Sequence, residues 1–219
     1  MVNERESSVI DQWLDPAPGH ALAGVVNWTP MASYGIDAHA FEEAATRLAG
    51  GWQDSTDDAL IKVILYLYRH AIELQLKDAI HIANMCVDSP YQELDKWYVR
   101  TAKHNLRELR ERLVELLSRN ELFPDDPVLE EDSPEGRLLT ELHEIDPKGD
   151  EFRFPLGWDN RASETRRARM PGGVDVVGRC VLLDVERMSA DLRSVSRLIG
   201  SIRDRVYEER LEPRRQQSE

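Results

Sequence analysis

The run Tyr-Arg-His-Ala-Ile-Glu-Leu-Gln-Leu-Lys at positions 68–77 places Arg69, His70, Glu73 and Lys77 in an otherwise apolar stretch. On a helix, side chains four apart share a face, so Arg69, Glu73 and Lys77 form one line with His70 at its edge. If water covers the strip, it is two salt bridges, Arg69 to Glu73 and Glu73 to Lys77, worth about 0.2–0.5 kcal/mol each. The flanking helix is apolar around much of its circumference, which predicts partial enclosure, and enclosed charges must be paired and hydrogen-bonded. An enclosed Arg, His, Glu and Lys group offers donors for a phosphate or another anion, with a titratable imidazole beside them.

Two further residues can converge on this strip. His104 stands immediately before Asn105, which opens an amphipathic run, so it sits at the positive end of a helix where backbone N–H groups favour an anion. By itself it also fits a histidine packed at a helix start. Arg153 lies between Phe152 and Phe154 in an extended segment, where alternate side chains point to opposite faces. The Phe rings can then pack inward while Arg153 turns outward, either to a site or to solvent.

Other chemistries find little support. Gly172-Gly173 through Gly178 lacks the Lys-Ser/Thr of a phosphate loop, and no GxSxG or HExxH occurs. Cys86 and Cys180 lie 94 positions apart without a CxxC, which predicts no metal site and a reducing cytosol. No run approaches the roughly 18 apolar residues of a membrane span, and the first twenty residues carry early acids, so a cytoplasmic protein without membrane contact is expected. The 219 residues carry 41 acids against 28 bases, a formal charge of −13. That balance argues against gripping nucleic acid with the whole surface but leaves room for a local basic site. Much of the excess acid falls between Glu121 and Glu151, and Arg161, Arg166, Arg167 and Arg169 make a basic loop.

The elements that must position these residues are helical. Residues 1–36, with Pro16, Pro18 and Pro30, read as an extended arm, 37–210 as a single helical domain, and 211–219 as a disordered tail. Asp37 starts a short helix that stops at Gly50-Gly51. After Asp54-Ser55-Thr56, about thirty residues without Gly or Pro carry Leu60, Ile64, Leu67, Ala71 and Leu74 at helical spacing. The segment from Pro90 to Lys103 has no clear assignment. Asn105 and Glu108 fit a capping box before Leu106, Leu109, Leu113, Leu116 and Leu117, and Ser133-Pro134 opens a short helix bearing Leu138, Leu139, Leu142 and Ile145. Positions 174–183 read as a strand or as the approach to the last helix. From a cap at Asp184, Val185, Met188, Leu192, Val195, Ile199, Ile202 and Val206 make a stripe that suits a bundle helix or half of a dimeric coiled coil.

Three separated motifs carry a resemblance. The Arg-His-x-x-Glu-x-x-x-Lys run, His104-Asn105-Leu106, and Asp146-Pro-Lys-Gly149-Asp-Glu-Phe-Arg153-Phe-Pro155 resemble elements that recur in that order in bacterial and archaeal members of the HEPN superfamily. Phe154 stands where those relatives often have Tyr. The resemblance implies a mainly α, antiparallel bundle of about four helices, frequently dimeric and common in anti-phage, toxin and RNA-processing systems. Many such proteins are metal-independent ribonucleases in which an Arg and a His activate the ribose 2′-hydroxyl and leave a cyclic phosphate. The nuclease spacing of the superfamily, Arg then His after four to six residues, is met only by Arg137 and His143. Chance alone gives about two such spacings in a chain this rich in Arg.

The resulting expectation is a HEPN-like bundle with an N-terminal arm and a long C-terminal amphipathic helix, binding RNA or a nucleotide without a cofactor and acting as a metal-independent endoribonuclease in a defence or toxin system. Arg69 and Lys77 would hold phosphate, Glu73 would orient Arg69 and His70, and His70 or His104 would act as acid or base. Asn105 would help bind phosphate, and Arg153 would close the site. A homodimer and a protein partner from the same system go with this reading. The alternative is a non-catalytic interaction or scaffold module in which the polar cluster fixes helix packing.

Overall fold

A computed structural model of the chain describes residues 34–52, 58–87, 90, 92–119, 121, 129–149, 168–169, 175–176 and 184–216. Residues 1–33 of the expected arm, the Asp54-Ser55-Thr56 cap, the Phe-Arg-Phe-Pro element with Arg153, and Arg161, Arg166 and Arg167 lie outside them, while Tyr34, Gly35 and Ile36, expected in the arm, are helical and precede the expected helix start at Asp37. The described part is mainly helical: α1 (Tyr34–Gly51), α2 (Asp58–Cys86), α3 (Leu94–Trp97), α4 (Leu106–Arg119), α5 (Pro134–Ile145), α6 (Val185–Val206) and α7 (Glu212–Gln216). Two strands of two residues each, β1 (Ala168–Arg169) and β2 (Asp175–Val176), pair antiparallel. Among the described residues no helix is long and apolar enough to cross a membrane.

Helix α2 is the centre, as its apolar circumference requires. Ile64, Tyr68, Ile72, Leu76 and Ile80 are buried in one cluster with Leu106, Leu109, Leu113 and Leu116 of α4 and Leu192, Val195, Ile199, Ile202 and Val206 of α6. Burying side chains of this size stabilises by about 1.5–3 kcal/mol each. The α6 stripe is therefore spent inside the fold, which selects the bundle reading of its periodicity over a dimer seam. Three helix starts are capped at the residues their types indicate: the Asn105 carboxamide oxygen accepts from the Glu108 N–H at 3.1 Å, Ser133 Oγ from Gly136 at 3.0 Å, and Asp184 Oδ1 from Arg187 at 2.9 Å.

Helix directions follow from which residues meet. Thr46 bonds Tyr68, and Glu42 bonds Gln75, so α1 and α2 are antiparallel. Arg107 pairs with Glu144 and Arg110 with Thr140, so α4 and α5 are antiparallel too. Helix α6 runs the other way: Ser196 meets Gln75 and Arg203 meets Asp78, which makes it parallel to α2, unlike the antiparallel α1–α2 and α4–α5 pairs. A short connection forces a helix to double back, whereas the long stretch from α5 to α6 lets the chain return in either direction.

Two segments differ from the sequence reading. The unassigned stretch forms α3 and a wide π-type turn, Tyr98–Ala102, ending at Lys103 with φ 46°. At the C-terminus a second such turn, Tyr207–Leu211, carries the helix on into α7, where a disordered tail is expected.

Candidate functional site

The charged strip of α2 is enclosed. Arg69, Glu73 and Lys77 are 2%, 1% and 8% exposed, and Asp146, at the C-terminal cap of α5, is fully buried. Arg69 Nη1 donates to Glu73 Oε2 at 3.0 Å, and Nη2 donates to the carbonyls of His104 at 2.6 Å and Asp146 at 3.0 Å. Its Nε lies 2.9 Å from Asp146 Oδ2 as an ion pair. One guanidinium thus ties together α2, the turn before α4 and the end of α5. Lys77 Nζ donates to Glu73 Oε1 at 2.7 Å and lies 5.9 Å from the Tyr98 ring centre, while the Tyr98 hydroxyl donates to the Lys77 carbonyl at 2.8 Å. Two cations face two carboxylates, so the network is neutral and needs no further anion.

His104 is the outlet of this network. Its Nδ1 lies 3.0 and 3.1 Å from the two oxygens of Glu73, and its side chain is 42% exposed. Burial alone would push the Glu73 carboxyl up, but Lys77, then His104 and Arg69, outweigh it and hold the group below its ordinary value. Glu73 is therefore a carboxylate at neutral pH, an acceptor only. Nδ1 must then carry the proton, which in the neutral ring leaves the Nε2 lone pair as the base. A buried carboxylate that fixes the tautomer of a half-exposed imidazole is the positioning unit of histidine acid–base chemistry.

The remaining predicted residues fall elsewhere. His70 is half-buried and packs edge-on against Phe41, ring centres 4.5 Å apart, and parallel to Tyr66 at 5.8 Å, on the flank of α2 that faces α1. Asn105 is a helix cap, its carboxamide oxygen committed to Glu108. Arg69 and Lys77, expected to hold phosphate, direct their charges into the protein. His143 on α5 is half-buried, and its Nδ1 has no hydrogen-bond partner among the described residues. Burial, with Arg107 and Arg69 adding to it, lowers its basicity and keeps the ring neutral.

Asp146 and Gly149, which stand in the third motif but have no role there by residue type, also belong to this network. Gly149 has φ +75°, and a Cβ there would stand 2.8 Å from His104 Cβ and 3.0 Å from Arg69 Nη1. Only glycine fits both the backbone angle and the approach. Gly149→Ala is expected to cost about 1–3 kcal/mol in thermal unfolding and to shift the His104 imidazole resonances. Exposed cations also cluster by chain position around His104: Arg100 in the π turn, Lys103 next to it, Arg107 one helical turn on, and Lys148 beside Gly149. The individual basic residues are legible in the sequence, but the packing of Gly149, next to Lys148, against His104 is not.

The electrostatics predict acid sensitivity. Because the folded Glu73 pKa lies below its unfolded value, near 4.3, its pairing stabilises fully above that value and is lost as pH falls through the folded value. His143 acts in the same direction from nearer neutrality, since the unfolded ring takes up a proton first. The urea midpoint should fall progressively below neutrality, and a Glu73→Gln variant should show a flatter acid limb.

No family model matches this chain, and no curated protein or solved structure matches it either.

Proposed function

We propose that this is a HEPN-like RNA-binding protein whose His104, held on Glu73, acts as acid and base in metal-independent cleavage of RNA. The observation that carries the reading is the pairing of a buried, ionised carboxylate with a half-exposed imidazole, set among exposed cations. In the reaction, Nε2 takes the proton of a ribose 2′-hydroxyl, whose oxygen attacks the adjacent phosphorus. The bond to the 5′-oxygen breaks, that oxygen receives a proton, and a 2′,3′-cyclic phosphate and a 5′-hydroxyl result. The charge on the phosphate falls to Lys103, Arg107, Lys148 or Arg100 rather than to Arg69. The HEPN-like reading draws support from the meeting of its three motifs: Arg69, Glu73 and Lys77, then His104, then Asp146 and Gly149 all touch within one network. A homodimer and a partner protein from a defence or toxin system, in the cytoplasm, belong to the same proposal.

The scaffold reading also has a specific observation in its favour: both Nη groups of Arg69 donate to protein atoms and the network is neutral without a ligand. The two readings part on RNA binding. Changing Lys103 and Arg107 together to Glu should weaken binding of a single-stranded RNA more than tenfold at low salt and lower the salt slope by about 1.4, two phosphate contacts at roughly 0.7 each. Unchanged binding, measured by fluorescence anisotropy, would leave the scaffold reading standing.

A further inference from the structure

The turn that presents His104 is built against local preference. Lys103 has φ 46° and ψ −107°, and the Asn105 N–H donates to the Ala102 carbonyl at 2.7 Å across it. Residues 102–105 therefore form a tight turn with Lys103 at its first central position. Its angles are close to the roughly +60° and −120° of a type II′ turn, where glycine is the usual residue. A ψ of −107° also lies outside the small left-handed region that other residues enter. The bonds that hold this backbone are those of the site: the His104 carbonyl accepts from Arg69 at 2.6 Å, and His104 Nδ1 lies 3.0 Å from Glu73. They are made by His104 and would form as well with glycine before it.

A lysine in a glycine position calls for a reason, because strained residues concentrate at functional sites. The two other described non-glycine residues with positive φ have local reasons: Leu129 is fully buried in the core, and Glu121 follows the end of α4, where a left-handed residue is common. The Lys103 side chain is exposed and makes no hydrogen bond or ion pair among the described residues. Of the four cations around His104, Arg107 shares its charge with Glu144 at 3.7 Å, and neither Arg107, Arg100 nor Lys148 has positive φ. Lys103 combines an unshared charge, a strained backbone and direct succession to His104. The two residues are the central pair of one turn, so whatever fixes the imidazole on Glu73 also fixes the root of the lysine.

We propose that Lys103 is the residue that holds the scissile phosphate of RNA, an assignment that rests on the reading of His104 as acid and base. Its ammonium steadies the charge that develops on the phosphate oxygens while His104 moves the proton. The test compares three variants of the full chain in RNA cleavage, scored as 2′,3′-cyclic phosphate ends, and in thermal unfolding. Lys103→Gly removes charge and strain together. Its melting temperature should rise by about 2–4 °C, net of the freedom glycine gains in the unfolded chain, while kcat falls by about tenfold or more. Lys103→Gln keeps the strain and should lose kcat alike at an unchanged melting temperature, with the smaller part of the loss in KM. Lys103→Arg restores a phosphate-binding cation and should recover most of the cleavage. A lysine with a merely structural role would lose stability and activity together, whereas a phosphate contact makes them move in opposite directions in Lys103→Gly. Wild-type kcat in Lys103→Gln, or a Lys103→Gly chain no more stable than wild type, overturns the proposal and leaves the His104 reading standing. A wild-type chain that yields no cyclic phosphate ends overturns both.

Discussion

Glu73→Ala is expected to lower the free energy of unfolding by about 3–5 kcal/mol, a large part of what a domain of this size possesses. The carboxylate is 1% exposed and is the acceptor for Arg69, Lys77 and His104 together. Removing it leaves Lys77 without its carboxylate and Arg69 with Asp146 as its remaining one, and the Arg69 clamp between α2, the turn before α4 and the end of α5 loses its anchor on α2. Glu73→Gln keeps the volume and one acceptor oxygen, so it should lose less. Urea unfolding followed by circular dichroism measures both. A loss below about 1 kcal/mol for Glu73→Ala, the range of an exposed ion pair, would mean that the strip is solvated after all.

His104→Ala is expected to do the opposite: reduce RNA cleavage by about 10²–10⁴-fold while barely moving the melting temperature. The Arg69 contact at this position goes to the His104 backbone carbonyl, which alanine retains, and Glu73 keeps its bonds from Arg69 and Lys77. What disappears is the half-exposed ring. His70→Ala separates the two histidines, because His70 packs on Phe41 and Tyr66 rather than on Glu73. It should cost stability and leave cleavage per folded molecule unchanged. Equal losses of activity in the two variants would move the chemistry away from the Glu73–His104 pair.

Local rules written in the chain account for much of this arrangement. The apolar spacing of α2 and α6, and the caps at Asn105, Ser133 and Asp184, are determined within one or two helical turns and so are legible from residue types alone. The stacking of Arg69, Glu73 and Lys77 is likewise a matter of helical period. Their burial is legible only indirectly, through the apolar flanks, and their partners are not, because Asp146 is 77 positions from Arg69. The adjacency of Arg69 and His70 in sequence misleads for a simple reason: neighbouring helix positions point about 100° apart, so one faces the turn before α4 and the other faces α1. The π turn at Tyr98–Ala102 carries no repeating pattern, and the parallel course of α6 depends on a long connection rather than on anything inside the helix.

The most direct test of the Glu73–His104 assignment is to incubate the full-length protein with a structured RNA pool in the presence of a metal chelator and to score the products for 2′,3′-cyclic phosphate ends. The wild-type chain should yield such ends with chelator present, and His104→Ala should not, at unchanged melting temperature. Products that require added metal, or an equal yield from His104→Ala, would contradict the assignment.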